Sequence, residues 1–243
     1  MNMSKIKEYV IYNSTLENID FKRKNIINTI NPHSFCVAEK DLQFRKSLVE
    51  SDILLPDGIG IVWAEMFLNR NSIKKIAGYD LFLHIMKKMN KEKGSVFFLG
   101  ASNETLNKIK INSNKEFPNV IINSYSPPYK DVFSEEESKN MYNAVNAKNP
   151  DVLFVGMTAP KQEKWVFENK DMLNTNVICS IGAVFDFYSG SIKRSHPFWI
   201  TMGLEWLPRL IKEPKRLFYR NFISTPNFIL KIFWLKIFKK NKK

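Results

Sequence analysis

Residues 151–182, DVLFVGMTAPKQEKWVFENKDMLNTNVICSIG, contain the pattern that decides the fold. Two short apolar runs, DVLFVG (151–156) and NVICSIG (176–182), each end in glycine, which is typical of buried strands in a parallel sheet. Between them, PKQEKWVFENKDML (160–173) begins with proline, a residue that suits the first position of a helix. Strand, helix and strand in this order predict two parallel strands joined by a crossover helix.

The same alternation extends toward the N-terminus from this stretch. SVFFLG (95–100) and VIINSY (120–125) are further predicted strands, and each precedes a predicted helix, at residues 103–117 and at residues 134–149. The middle of the chain therefore repeats one unit, a strand followed by a helix, which is the pattern of a parallel sheet covered by helices.

The first part of the chain is less regular. We interpret VIYNS, HSFCVA and DILLPDG (52–58) as strands, and GYDLFLHIMKKMNKEKG (78–94) as a helix that ends at Gly94. These elements are expected to join the same sheet. The complete prediction is an α/β fold with a Rossmann-like, mostly parallel sheet flanked by helices and with a basic helical C-terminal appendage.

Basic residues are concentrated at the C-terminal end. Residues 191–243 contain 13 Lys and Arg against 2 Asp and Glu, whereas the first 190 residues contain 24 against 22. We therefore expect a core over residues 1–190 that carries the chemistry, and an appendage over residues 191–243. A positive field at one end suggests an anionic partner such as a phosphate, an acidic membrane or a nucleic acid, and the alternative is a solvated basic tail.

The last segment, NFILKIFWLKIFKKNKK (227–243), is apolar and basic and has no acidic residue. A basic helix that carries aromatic residues typically lies in a membrane interface, and we favour this over a helix docked on another subunit. No run of 18 apolar residues is present, so we expect no membrane-spanning helix. The N-terminus lacks the apolar core of a signal peptide, and the presence of only two cysteines suits a reduced cytoplasm. On a helical wheel, one side collects Leu230, Phe233, Trp234, Ile237 and Phe238 and the other Lys231, Lys236, Lys239 and Lys240, with Ile229, Ile232 and Leu235 among the lysines.

The ends of the predicted strands carry the candidate functional residues, because parallel sheets bind ligands at the carboxyl ends of their strands. Asp57 follows an apolar strand and precedes two glycines, so it is a candidate general base or ribose ligand, or it stabilises its own turn. Gly100 and Gly156 end strands where backbone N–H groups can meet a phosphate. Gln162 can bind a sugar or base, although an isolated glutamine is more often structural.

Several classes of site are not indicated. Neither GxGxxG nor GxxxxGK[ST] occurs, which argues against an NAD-dependent oxidoreductase and an ATP site. The three histidines and two cysteines lack metal-ligand spacing, and there is no Asp-x-Asp pair, so we expect no metal and no cofactor. If a diphosphate leaves during the reaction, cationic side chains must then neutralise it.

Eight sequence blocks, taken in order, resemble one family, the WecG/TagA/CpsF glycosyltransferases (glycosyltransferase family 26). The PDGIG and GLEW-x-x-R-L-x-x-EP-x-R strings are the most specific of them. The resemblance extends from about Asn28 to Arg220. The blocks are TINPHSFCVA, LLPDGIGIVWA, AGYDLF, VFFLGAS, SPPY, LFVGMTAPKQEKW, IGAVFDFYSG and GLEWLPRLIKEPKRLFYR.

The resemblance implies an inverting, metal-independent transfer of a sugar from a UDP-sugar to a polyprenyl-diphosphate-linked acceptor. This reaction serves the synthesis of teichoic acid, capsule, exopolysaccharide or common antigen. The donor sugar stays open between N-acetylmannosamine and another hexose or uronic acid. The resemblance also implies a peripheral protein on the inner face of the bacterial plasma membrane, with an anionic membrane surface and no nucleic acid as partner. A non-enzymatic basic protein that binds a membrane or nucleic acid is the alternative.

The resemblance also assigns roles to individual residues. Asp57 matches the proposed catalytic base, Gln162 matches a pocket glutamine, and Lys75 stands where many members have an arginine, which keeps the charge but loses the bidentate fork. The remaining matched positions are Thr29 and Asn31 near the pocket, and Arg209, Arg216 and Arg220 as appendage arginines that reach the diphosphate.

Overall fold

A computed structural model of the protein describes residues 3–192 and 214–240, and between them the single positions 196, 199, 207 and 210. The predicted site residue Arg209 lies outside the described residues, and so does the side chain of Arg216.

A six-stranded sheet forms the centre of the molecule, and all of its strands run parallel. Its strand order is β4-β3-β8-β7-β5-β6, so the predicted α/β fold with a parallel sheet is confirmed. The inner strands are largely buried and mostly apolar, because helices cover both faces of the sheet. The six strands are β3 (Asn25–Ile30), β4 (Ile53–Pro56), β5 (Ser95–Gly100), β6 (Ile121–Tyr125), β7 (Val152–Gly156) and β8 (Val177–Ser180).

Helices connect these strands, in the places predicted for the middle of the chain. The described helices are α1 (Pro32–Ala38), α2 (Leu42–Val49), α3 (Ile59–Asn69), α4 (Gly78–Glu92), α5 (Asn103–Glu116), α6 (Glu135–Asn146), α7 (Lys161–Asn169) and α8 (Val184–Tyr188). Toward the C-terminus follow α9 (Pro214–Phe218), a six-residue π-helix (Tyr219–Ser224) and α10 (Thr225–Lys240).

The interpretation of HSFCVA as a strand is wrong, because this segment is helix α1. Asn31 caps the helix: its side chain accepts hydrogen bonds from the backbone N–H groups of His33 and Ser34, and the Ser34 side chain accepts one from the Asn31 N–H. Pro32 occupies the first helical position. Cap and proline together therefore outweigh the strand preference of the apolar run.

The segment VIYNS does not join the main sheet, contrary to the prediction. Its strand β2 (Tyr9–Tyr12) pairs antiparallel with β1 (Met3–Ile6) in a separate two-stranded sheet. Tyr9 and Ile11 are fully buried there, against a cluster that includes Phe35 of α1. The apolar residues of this hairpin thus cover helices beside the sheet rather than extending it.

Helix α10 packs on the body of the same chain. Phe228 and Ile232 are fully buried in a cluster with Phe35 of α1 and Ile61 of α3, and Leu235 lies against this cluster. This packing explains why Ile232 and Leu235 fall among the lysines on the helical wheel. The helix has one apolar face for the protein core and a second apolar face that stays exposed.

Candidate active site

A cavity of about 1500 Å³ lies at the carboxyl ends of the parallel strands. The segments after all six strands contribute to its walls, and Leu217, Arg220 and Phe222 of the C-terminal segment close one side. This is where open α/β sheets bind their ligands. Among the sequence-predicted residues, those at the wall are Thr29, Asn31, Asp57, Lys75, Gly156, Gln162 and Arg220.

Asp57 and Asn31 follow neighbouring strands and enter the cavity side by side. In the register of β3 and β4, Ile30 lies opposite Pro56, and the Asp57 N–H donates to the Ile30 carbonyl at 2.9 Å. Gly58 then takes a positive φ of 98°, which turns the chain sharply into α3. Since the Asn31 side-chain oxygen already accepts the cap hydrogen bonds, its NH2 group is the part that can meet a ligand.

Lys75 reaches the same region through a backbone contact. The N–H of Ile76 donates to the carbonyl of Pro56 at 3.0 Å, which fixes the segment before α4 against the end of β4. Lys75 is partly buried at the cavity wall. The lysine that stands in place of the expected arginine therefore lies on the same side of the cavity as Asp57 and contributes a positive charge there.

The two predicted strand-end glycines have different environments. Gly100 and Gly156 lie opposite each other on β5 and β7, and a Cβ on Gly100 would come within 2.4 Å of the Gly156 carbonyl oxygen. Gly156 lines the cavity, whereas Gly100 does not. The residue after Gly100, Ala101, is again a lining residue. The close approach of two strands thus explains Gly100, and only Gly156 itself borders the cavity.

Gln162 and its neighbour Glu163 form a buried polar pair at the start of α7. Both side chains are 3% exposed. The Met157 N–H donates to Gln162 Oε1 at 3.2 Å, and Gln162 Nε2 donates to Glu163 Oε1 at 2.8 Å. Burial raises the pKa of Glu163 to about 7, so at neutral pH a substantial fraction of this carboxyl keeps its proton.

The C-terminal segment is attached to the cavity by α1. His33 Nδ1 lies 2.9 Å from Ser224 Oγ, and the Cys36 thiol donates to the Ser224 carbonyl at 3.3 Å. Burial, and then the positive charge of Arg220, lower the pKa of His33, so the imidazole is neutral at neutral pH. These contacts hold the π-helix that carries Arg220 against the first turn of α1.

A family model described as "Glycosyl transferase WecG/TagA/CpsF family" matches residues 2–242. The chain belongs to this family. It is therefore a glycosyltransferase, as the sequence blocks predicted, and the cavity at the strand ends is its candidate active site.

The chain is similar to three curated WecG/TagA/CpsF family members, each named N-acetylglucosaminyldiphosphoundecaprenol N-acetyl-beta-D-mannosaminyltransferase. The protein of Bacillus subtilis (strain 168) is 33% identical over 93% of this chain and 84% of its own length. That of Bacillus spizizenii is 31% identical over 87% and 79%, and that of Staphylococcus aureus (strain MW2) is 26% identical over 85% and 78%.

Sequence reasoning missed several residues at the cavity of this family member. His33 was set aside because the histidines lack metal-ligand spacing, although it lies within the TINPHSFCVA block and lines the cavity. Tyr129 and Phe133 border the cavity beyond β6, and the Lys161 ammonium lies 5.7 Å and 5.1 Å from their ring centres. SPPY was recognised only as a turn and a family block, because cation–π contacts between distant segments leave no local pattern.

In the part of the chain that the structure describes, no group of three His, Cys, Asp or Glu side chains lies close enough together to hold a metal ion. Within the same residues, no helix has the length and apolar character needed to cross a bilayer.

Proposed function

We propose that this glycosyltransferase moves N-acetylmannosamine from its UDP-linked form to undecaprenyl-diphosphate-linked N-acetylglucosamine, in the assembly of a cell-surface polysaccharide. Three relatives that match most of this chain carry one enzyme name, which specifies this acceptor and this sugar. The observation that carries the proposal is that Asp57 and Arg220, a carboxylate and a cation from distant parts of the sequence, line one cavity.

Asp57 is the proposed general base. It accepts the proton of the attacking hydroxyl on the acceptor sugar as that oxygen forms a bond with the anomeric carbon of the donor. The bond from the anomeric carbon to the UDP oxygen breaks on the opposite face, so the transfer inverts the configuration at this carbon. The backbone hydrogen bond between Asp57 and Ile30 supports this role, because it fixes the Asp57 backbone at the strand end beside the cavity.

Arg220 and Lys75 are the proposed partners of the leaving diphosphate. Both line the cavity, and cations placed where negative charge develops stabilise the transition state. Arg209 and Arg216 keep their predicted role as further diphosphate ligands. No metal or cofactor takes part in this proposal, since side chains supply the positive charge.

The nucleotide is proposed to bind near the starts of α5 and α7. Ser102, which caps α5 through the Thr105 N–H, lines the cavity together with Asn103, and Gly156 lies on the neighbouring strand end. Helix α5 has 14 residues, and the N-terminus of such a helix favours a bound anion.

The anionic inner face of the bacterial plasma membrane is proposed as the working surface. Helix α10 exposes a row of large apolar side chains, and Phe233 of this row packs on Trp63 of α3 with ring centres 6.1 Å apart. Trp63 and Ile59 also line the cavity, so the apolar face continues to its mouth. We name this surface, made of Ile59, Trp63, Met66, Leu230, Phe233, Trp234, Ile237 and Phe238, the α3/α10 face.

Two lysines beside this face have partners within the protein. Lys231 forms an ion pair with Glu39, and Lys236 donates to the carbonyls of Phe67 and Leu68. The membrane proposal therefore rests on the exposed apolar area, which is of the kind that marks interaction sites. A lipid-linked acceptor would enter the cavity from this side.

The reaction is tested by measuring UDP release from a panel of UDP-sugars in EDTA, with and without a short-chain polyprenyl-diphosphate-linked N-acetylglucosamine. We expect acceptor-dependent release from UDP-N-acetylmannosamine. Acceptor-dependent release from another donor only would overturn the sugar assignment while retaining the glycosyl transfer. Turnover only after addition of a divalent cation would overturn the metal-independent mechanism.

A further inference from the structure

The buried pair Gln162 and Glu163 fixes the direction of an amide at the cavity wall. The backbone N–H of Met157 can donate only to the carbonyl end of the Gln162 side chain, which identifies Oε1. The other end, Nε2, then donates one of its two hydrogens to Glu163 Oε1. A second hydrogen of this amide is left for a ligand.

Gly182 lies beside this amide at the cavity wall. A Cβ placed on Gly182 would lie 3.5 Å from both Nε2 and Oε1 of Gln162, and Gly182 has a positive φ of 51°. Both residues line the cavity. Gly182 therefore packs beside the Gln162 amide at the cavity wall and adds no side-chain atoms there.

Glu163 has no basic side chain among the causes of its altered pKa, which are burial and hydrogen bonds within the Gln162–Glu163 segment. Charged groups on neighbouring segments are engaged elsewhere: Lys164 pairs with Asp41 at the start of α2, and Lys130 pairs with Glu137 of α6. Lys161 donates to the Lys130 carbonyl. Glu163 Oε2 is buried and makes no hydrogen bond among the described residues.

We propose that Glu163 is a positioning residue, whose buried carboxyl group holds Gln162 with its second N–H directed at an acceptor oxygen of the bound sugar substrate. The proposal rests on the proposed glycosyl transfer, since that reaction supplies the ligand. An uncharged acid suits this position because a carboxylate without a cationic partner would repel the diphosphate of the substrate.

The test compares two variants at position 163 with a control on the same helix. Glu163→Leu removes the acceptor for Gln162 Nε2 and is expected to lower kcat/KM for the UDP-sugar about tenfold or more. Glu163→Gln retains a carbonyl acceptor and is expected to recover most of this loss. Glu168→Leu, which removes an exposed carboxylate of α7, is the control and should match the wild type. Equal kcat/KM in Glu163→Leu and wild type would overturn the positioning role.

The pH profile supplies a readout that a purely structural residue would not move. For the wild type, kcat/KM is expected to fall as the pH rises through 7, and this decline should be absent in Glu163→Gln. Identical pH profiles for the two proteins would overturn the role proposed for the protonated Glu163 carboxyl.

Melting temperatures make the test independent of turnover. Below pH 4.5 the carboxyl is protonated in both the folded and the unfolded chain, whereas between pH 4.5 and 7 only the folded chain keeps its proton. The advantage of Glu163→Gln over wild type should therefore grow from pH 5 to pH 8. A constant difference would count against the proposal even if no donor were turned over, whereas absent turnover with the expected melting behaviour would count against the proposed function alone.

Discussion

His33 Nδ1 and Ser224 Oγ lie 2.9 Å apart, although 191 positions separate the two residues in the chain. His33 is in the first turn of α1, which Asn31 caps at the cavity, and Ser224 ends the π-helix that carries Arg220. This one hydrogen bond thus joins the end of β3 to the segment that brings a cation to the site. π-Helical turns are rare and are frequently found at functional sites, which agrees with this placement.

Asp57→Asn is expected to lower kcat by about 10²- to 10⁴-fold, because the amide cannot accept the proton of the attacking hydroxyl. The measurement is acceptor-dependent UDP release under saturating donor. Asp20→Asn, a change at an exposed carboxylate outside the cavity lining, is the matched control. Near-normal turnover by an Asp57→Asn protein with an unchanged melting temperature would remove Asp57 from the mechanism.

Arg220→Ala is expected to lower kcat by about 10²- to 10³-fold, since it removes a cation from the departing diphosphate. Arg220→Lys should recover part of this loss, because lysine keeps the charge without the bidentate fork. Arg23→Ala, at an exposed arginine outside the cavity lining, serves as the control. If Arg220→Ala raised only KM for the lipid acceptor and left kcat unchanged, the residue would contact the acceptor instead.

Acidification is expected to destabilise the protein partly through His33. Burial and Arg220 lower its pKa in the folded state, so near and below pH 6.5 the unfolded chain binds a proton that the folded chain resists. Stability is therefore lost as the pH falls through this range. His33→Asn should lose less melting temperature than the wild type between pH 7.5 and pH 5.5. An equal loss in both proteins would show that His33 does not titrate with folding.

Polar substitutions on the α3/α10 face are expected to release the enzyme from membranes. Trp234→Ser combined with Phe238→Ser should lower co-sedimentation with vesicles that contain anionic lipid about tenfold or more, because two large exposed side chains no longer bury in the interface. Ile111→Ser with Ile121→Ser is the matched control, since these side chains are 67% and 60% exposed elsewhere. Turnover of a water-soluble acceptor should stay unchanged in both proteins. Equal vesicle binding by the two double variants would place the membrane contact on another surface.

Local patterns were sufficient for the central sheet but not for the N-terminal part. The strands at 95–100 and 151–156 could be predicted because each is an apolar run that ends in glycine before a helix signal. HSFCVA has a similar apolar content, and its helical state depends on the side chain of Asn31, which closes the cap. The sequence of β2 predicts a strand but not the sheet to which it belongs. Tertiary packing determines that β1 and β2 form a separate two-stranded sheet.

The candidate site shows the same division between local and distant information. Asp57 and Gln162 lie at a strand end and a helix start, where parallel sheets bind their ligands, so the sequence alone singles them out as candidates, and both line the cavity. His33 and Tyr129 line the cavity and contact residues that are distant in the chain, Ser224 and Lys161 respectively. Neither periodicity nor a motif predicts contacts of this kind. The resemblance to a family supplied Thr29 and Arg220, which local pattern alone did not single out.

The bonds from Lys236 to the carbonyls of Phe67 and Leu68, at 2.6 and 3.0 Å, fix α10 to the end of α3. The cavity mouth and the α3/α10 face therefore keep one orientation relative to each other. On the proposed membrane surface, the enzyme would meet its acceptor by lateral diffusion within two dimensions. Saturation then depends on the mole fraction of acceptor in the lipid rather than on its bulk concentration, and diluting the surface with inert lipid slows the reaction even when the total amount of acceptor is unchanged.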